Sequence, residues 1–193
     1  VVHPAAVLPC WIAGVPMSVR NSMDPELPGT RIVPKLSPMD SRDGKVAAIS
    51  SKSDITVVVI KSSRMLGQHG FLAHVFSVFN KFEASIDVIA TSEVTISLTL
   101  DQGYKSIDLA GIKSALDSAA RVDIMQDMAM LTLITAKKDS VDVMKDTFIA
   151  FSEIGLPVEM VSHGASNVNV TFVIPGNRLL EASRTLHEVF FER

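Results

Sequence analysis

Apolar positions along this chain recur with two periods that alternate in a fixed order. The run Ile55-Thr56-Val57-Val58-Val59-Ile60 is nearly continuous and β-branched, the pattern of a buried strand. Phe71, Leu72, Val75, Phe76 and Phe79 then fall on one helical face. In the next apolar stretch Val94, Ile96, Leu98 and Leu100 alternate with Thr95, Ser97 and Thr99, which predicts a strand with one apolar and one wet face. A helix around Ile107 to Ala119 and a strand over Arg121 to Gln126 complete the block. It reads strand, helix, strand, strand, helix, strand.

The same order then returns. Ala129-Met130-Leu131-Thr132-Leu133-Ile134 repeats the first strand run, and an offset of 72 pairs Phe76 with Phe148, Phe79 with Phe151, Ile86 with Val158, Asp87 with Glu159 and Val88 with Met160. Two further residues enter the second copy at its hairpin, so that Ile96 pairs with Val170. Met144, Phe148 and Phe151 form one helical stripe of that copy, and Leu179, Ala182, Leu186 and Phe190 form another. Helices on one side of an antiparallel sheet give an α+β fold of the ferredoxin-like type, twice over. The second copy runs out before its closing strand, because its last helix, Asn177 to Phe191, reaches the chain end. Val46-Ala47-Ala48-Ile49-Ser50 is the strand left over. It is expected to join the second sheet, so that residues 54–127 are inserted within a unit made of 45–53 plus 128–193.

Ahead of the repeat the patterning is weak. Ala5 to Ala13 reads as a short helix and Pro16 to Arg20 as a strand, while residues 21–44 carry Pro25, Pro28, Gly29, Pro34, Pro38 and Gly44 among Asp and Ser, as a loop or linker does. The boundaries expected are 1–30 for the leading segment and 31–44 for the linker.

Composition narrows the function classes. With 193 residues and 47% hydrophobic positions the chain can bury a substantial core. A net charge of -3, with basic residues scattered, argues against a nucleic-acid partner. Cys10 is the one cysteine, which excludes an internal disulfide and a thiolate metal set, and fits a reducing compartment. No apolar run approaches the roughly 18 residues that span a bilayer, so no membrane partner is expected. The five histidines lack metal-ligand spacing, and no phosphate-binding glycine loop occurs. Asn169-Val170-Thr171 has the form of a glycosylation sequon inside an apolar alternating strand, where it is not expected to be used.

The candidate chemistry gathers in the first repeat. Gly67 and Gly70 flank a helix start, where unpaired N–H groups and the positive dipole end favour a carboxylate. Asp87 and Glu93 bracket a short hairpin and can neutralise an ammonium, with Ser85 and Ser92 adding hydroxyls. Together these could hold a dibasic amino acid such as lysine by both ends. Plainer roles fit the same residues: two glycines can be a turn, alternation places Asp87 opposite Ile86 and Val88 and so in solvent, Glu93 can be an ordinary hairpin charge, and His69 a cap.

Residues 64–73 (Arg-Met-Leu-Gly-Gln-His-Gly-Phe-Leu-Ala) and 85–101 (from Ser85-Ile86-Asp87 through Ser92-Glu93 to Asp101) closely resemble the first ACT regulatory domain of lysine-sensitive, monofunctional aspartate kinases. Val2-His3-Pro4 to Gly29-Thr30 resembles the end of their α/β amino-acid-kinase domain. The resemblance implies the carboxy-terminal part of such an enzyme, with two ACT domains and an upstream kinase domain. It implies lysine held between the first ACT domains of a homodimer by Met65, His69, Gly70, Phe71, Leu72, Ser85, Ile86, Asp87, Ser92 and Glu93. Ser162 to Asn167 of the second copy is a family stretch that looks structural and aids dimer pairing; that copy lacks the Gly-Phe-Leu helix start. The resemblance would also make Val1 a peripheral nucleotide contact. The parent reaction would be phosphoryl transfer from ATP, through magnesium, to the side-chain carboxylate of aspartate, on the route to lysine and related amino acids. This chain alone would be inactive and would carry no catalytic residue and no cofactor. S-adenosylmethionine acts with lysine on some plant relatives, and Arg64 to Gln68 looks plant-like, so a plastid or a bacterial cytoplasm is the expected compartment. A separate ACT-type regulatory subunit is the alternative.

Overall fold

The computed structural model describes residues 2–33, 45–63, 69–101, 107–135, 140–164 and 168–192. The chain divides into two compact units, Val1–Asp43 and Gly44–Arg193.

In the first unit, helix α1 (Pro4–Ile12) begins with proline in its first turn, where no N–H partner is needed, and His3 Nδ1 accepts from the Ala5 N–H at 3.2 Å. Strand β1 (Met17–Val19) pairs antiparallel with β2 (Thr30–Ile32). β2 lies inside the stretch expected to be loop and crosses the boundary expected at residue 30; three residues are too few to leave a periodic signal. Gly29 enters β2 at φ +65°, and a Cβ there would meet the Val19 carbonyl oxygen, so only glycine fits.

The second unit carries one six-stranded antiparallel sheet ordered β4-β5-β3-β6-β8-β7. Its strands are β3 (Val46–Lys61), β4 (Ile86–Thr91), β5 (Thr95–Asp101), β6 (Arg121–Thr135), β7 (Met160–His163) and β8 (Asn169–Pro175). The helices are α2 (Phe71–Lys81), α3 (Leu109–Leu116), α4 (Ser140–Glu153) and α5 (Leu179–His187), the last entered by a short 3-10 turn at Gly176–Arg178 and followed by a π-type turn at Glu188–Glu192.

Two strands are shared between the repeats. The sequence separates Val46 to Ser50 from Ile55 to Ile60, and Arg121 to Gln126 from Ala129 to Ile134; the fold joins each pair into one long strand. The first part of β3 pairs with the second part of β6, from Val46 opposite Thr135 to Lys52 opposite Met130, and β6 there pairs with β8. The second part of β3 pairs with the first part of β6 and with β5. Val46 to Ser50 thus lies in the sheet of the second repeat, and the first ferredoxin-like unit is nested in the second. Asp54 and Asp127 bend the two long strands at their middles with φ of 58° and 56°. The ladder slips there, between Lys52 and Ile55 and between Ile55 and Val57, without ending. The register sets Ile55 opposite Met128, and both are buried on the same face of the sheet.

One face of the sheet packs under helices in two clusters. Val58, Ile60, Val75, Phe79, Leu98 and Ile112 centre the first; Leu131, Leu133, Val143, Phe151, Phe172 and Leu186 centre the second. In α2 the buried residues are Val75, Val78 and Phe79, while Leu72 turns outward at 42% exposed; in α4 Phe148 is half exposed, its ring meeting Phe172 edge-on at 5.6 Å. The opposite face, expected to be wet, is covered. The outer strands β4 and β7 approach one another, and Ile55, Val57, Met128, Met130, Met160 and Val173 are buried between them with Val88 and Ala90 at the margin. Thr99, read as solvent-facing, is fully buried on that side.

Candidate effector site

Two local structures hold the candidate residues, and they lie at opposite ends of β4. At one end, β3 leaves the sheet at Lys61, opposite Thr95. The Ser62 N–H donates to the Val94 carbonyl at 2.9 Å and its hydroxyl to the Ala119 carbonyl at 2.8 Å, which ties the exit of β3 to the β4–β5 hairpin tip. Ser92 closes that tip, its N–H donating to the Thr95 carbonyl at 2.8 Å, with Glu93 exposed beside it. Gly70 caps α2 at φ +86° without a side-chain hydrogen bond, and the Gly70 carbonyl accepts from the His74 N–H at 2.9 Å. Gly70 has no side chain to offer the first N–H groups of α2, and a helix start left without a cap acceptor favours an anion. His69, Gly70 and Leu72 are exposed and Phe71 is half-buried. Met65 lies outside the described residues, as do Gly67 and Val1.

At the other end stand Ser85, Ile86 and Asp87. Ile86 pairs with Leu100, but the next pair is Ile89 with Leu98, so two residues, Asp87 and Val88, face one, Thr99. The Thr99 hydroxyl accepts from the Val88 N–H at 2.9 Å and replaces the missing ladder carbonyl. This bulge changes the strand's facing. Ile86 packs with the helix-side cluster, whereas Val88 and Ala90 pack on the covered face. Asp87 lies at the surface, as alternation expects, but is paired there: its Oδ2 accepts from Lys52 Nζ at 2.9 Å, with its side chain 29% exposed. From Asp87 to Thr91 are four strand steps, roughly 13 Å at about 3.3 Å each. Within one copy, Asp87 and Glu93 do not converge on one ammonium.

Lys52 and Thr99 went unrecognised in the sequence. Lys52 lies in the polar run Ser50-Ser51-Lys52-Ser53-Asp54, which carries no apolar period to place it, and the fold brings it to Asp87; Thr99 reads as an ordinary member of an alternating strand. In the second repeat, Ser162 and His163 lie on β7, with His163 Nε2 buried and without a hydrogen-bond partner; residues 165–167 fall outside the described residues. A separate groove of about 410 Å³ is lined by Lys113, Asp117, Arg121 and Asp123. There Asp123 accepts from Lys61 at 3.3 Å and Arg121 at 3.2 Å, and these two bonds, Lys61 first, hold its carboxyl below its ordinary value of 3.8. Among the described residues no group of three His, Cys, Asp or Glu is placed to hold a metal ion, and no helix is long and apolar enough to cross a membrane.

The ACT domain family matches residues 137–190, within the second repeat. Aspartokinase 2, chloroplastic, of Arabidopsis thaliana is 37% identical over all of this chain, which spans 36% of that protein. A solved structure from Porphyromonas gingivalis W83, named as a C-terminal regulatory domain of aspartate kinase, is 30% identical with a TM-score of 0.63, covering 75% of this chain and 96% of its own. The chain belongs to the aspartokinase family. Escherichia coli aspartokinase III, solved in complex with lysine and aspartate in its T-state, aligns with a TM-score of 0.80 at 28% identity over 99% of this chain and 42% of its own length. The chain spans well under half the length of these whole aspartokinases, and it corresponds to their regulatory region.

Proposed function

We propose that this chain is the allosteric portion of an aspartate kinase and that it binds L-lysine where the first ferredoxin-like units of two copies meet. One observation carries the reading: the Ser92–Glu93 hairpin tip, tied to the exit of β3, the strand that precedes α2, lies at one end of β4, and Ser85 to Asp87 at the other. Two copies side by side along β4, related by a two-fold axis, would set the Asp87 end of one against the hairpin end of the other, because a two-fold reverses strand direction. A carboxylate at the Gly70 to Leu72 helix start and an ammonium between acidic side chains then suit an amino acid with a basic side chain. Leu72, Ile89 and Val94, exposed at 42%, 42% and 39%, would gain cover in such a pairing. The lysine complex of the Escherichia coli enzyme supports the choice of ligand.

Inhibition follows as a two-state shift, since lysine favours one arrangement only by its differential affinity for it. The parent reaction, phosphoryl transfer from ATP to aspartate, we assign to the kinase domain. Among the described residues no three acidic, imidazole or thiol groups gather for a metal ion, and no catalytic step is placed here. A plastid or a bacterial cytoplasm is the compartment in keeping with the relatives, and S-adenosylmethionine is the second effector to try.

The test is a calorimetric titration of the chain with L-lysine, with threonine as control and oligomeric state measured in parallel. Binding of one lysine per site by a dimer, lost in Glu93→Ala, is the expected result. A folded dimer that takes up no lysine would remove lysine as the effector, and binding by a monomer would remove the shared site.

A further inference from the structure

Asp87 already holds an ammonium. Lys52 Nζ donates to it at 2.9 Å, from a side chain 42% exposed. Lys52 belongs to the part of β3 that pairs with Met130 in the sheet of the second repeat, whereas Asp87 sits on β4 of the first repeat. Between Lys52 and Ile55 the ladder slips, and Asp54 takes its left-handed turn. The ion pair therefore bridges the joint between the two repeats, at the point where β3 bends. The Lys52 ammonium is also the same chemical group that ends the side chain of a lysine ligand.

We propose that Lys52 is an internal stand-in for the effector: with no ligand bound it occupies Asp87, and an incoming amino-acid ammonium displaces it and frees β3 from β4 at the joint. This rests on the reading of Asp87 as an effector carboxylate. Two ammonium groups at one carboxylate repel, so Lys52 weakens ligand binding for as long as it stays. An exposed pair is a weak competitor, which keeps the exchange within reach of a small ligand; the effect on affinity is about twofold to fivefold. The displaced Lys52 belongs to the second repeat's ladder, so binding at the first repeat is felt directly by the second.

Calorimetric titration of L-lysine into the wild-type chain, Lys52→Met, Lys52→Gln and Lys52→Arg tests this, with a second readout from reductive methylation of Lys52 followed by mass spectrometry. Both neutral variants are expected to bind lysine about twofold to fivefold more tightly, and Lys52→Arg to stay at the wild-type affinity. In the wild type, saturating lysine is expected to make Lys52 more reactive. Unchanged or weaker binding in the neutral variants, or a Lys52 reactivity that lysine does not raise, overturns the proposal and leaves the lysine site standing. A wild-type chain that binds no lysine overturns both.

Discussion

Thr147 is fully buried in α4, and its hydroxyl has no hydrogen-bond partner. At the offset of 72 that relates the two helices, its counterpart is Val75, also fully buried. Valine has nearly the same shape without the polar atom, so Thr147→Val is expected to raise stability by about 1 kcal/mol, read as a higher urea midpoint at unchanged slope. Asp146 offers a test with the opposite sign. Burial pushes its carboxyl up, but the Lys45 ammonium at 3.2 Å, with Lys145 beside it, outweighs that and holds it below its ordinary value of 3.8. A carboxyl depressed in the folded state contributes stability that is full above the unfolded value and lost as the pH falls through the folded one. Asp146→Asn is therefore expected to lower stability at pH 6 and to match the wild type near pH 2, measured by denaturant unfolding at both.

Among the elements, β4 depends most on one side chain. The bulge at Asp87 and Val88 is held by the Thr99 hydroxyl, and Thr99→Val would leave the Val88 N–H without its acceptor in a half-buried strand. A loss of about 1–3 kcal/mol is expected, and, if Asp87 serves the proposed lysine site, weaker lysine binding with it; Thr99→Ser, which keeps the acceptor, should retain most of the stability and of that affinity. This bulge also marks the limit of what the sequence disclosed. The strand runs, the helical stripes and the nesting of Val46 to Ser50 were legible, because burial on a helix-covered face writes periodic apolar residues into the chain. The bulge was not, since a slip of one residue costs no change in composition and Asp87 reads the same on either face. Nor was the burial of Thr99, since the covered side arises from the curl of the whole sheet. Leu72 and Phe148 misled for a related reason: an apolar stripe wider than the contact it serves leaves its margin exposed. Which of the candidate residues share an end of β4 needed the register.

The whole second unit is one ladder. Because β3 and β6 each run through both ferredoxin-like repeats, neither repeat can lose its central strands without unravelling the other's. Residues 44–193 are expected to unfold in a single transition. Hydrogen exchange in the buried strands should report the same opening free energy for Val58 and Ile60 as for Leu131 and Leu133, where two independent domains would report two values.

The nested arrangement also means that Val46 to Lys52 is encoded far from the unit it completes. In an ordinary ferredoxin-like order its place follows the last helix, after α5. A circularly permuted gene that begins at the bend of Asp54 and carries Val46 to Lys52 behind the C-terminus would specify two complete modules in tandem. Cutting the chain at the same bend without moving that segment would instead leave β6 with a bare edge in the second module, a template for aggregation.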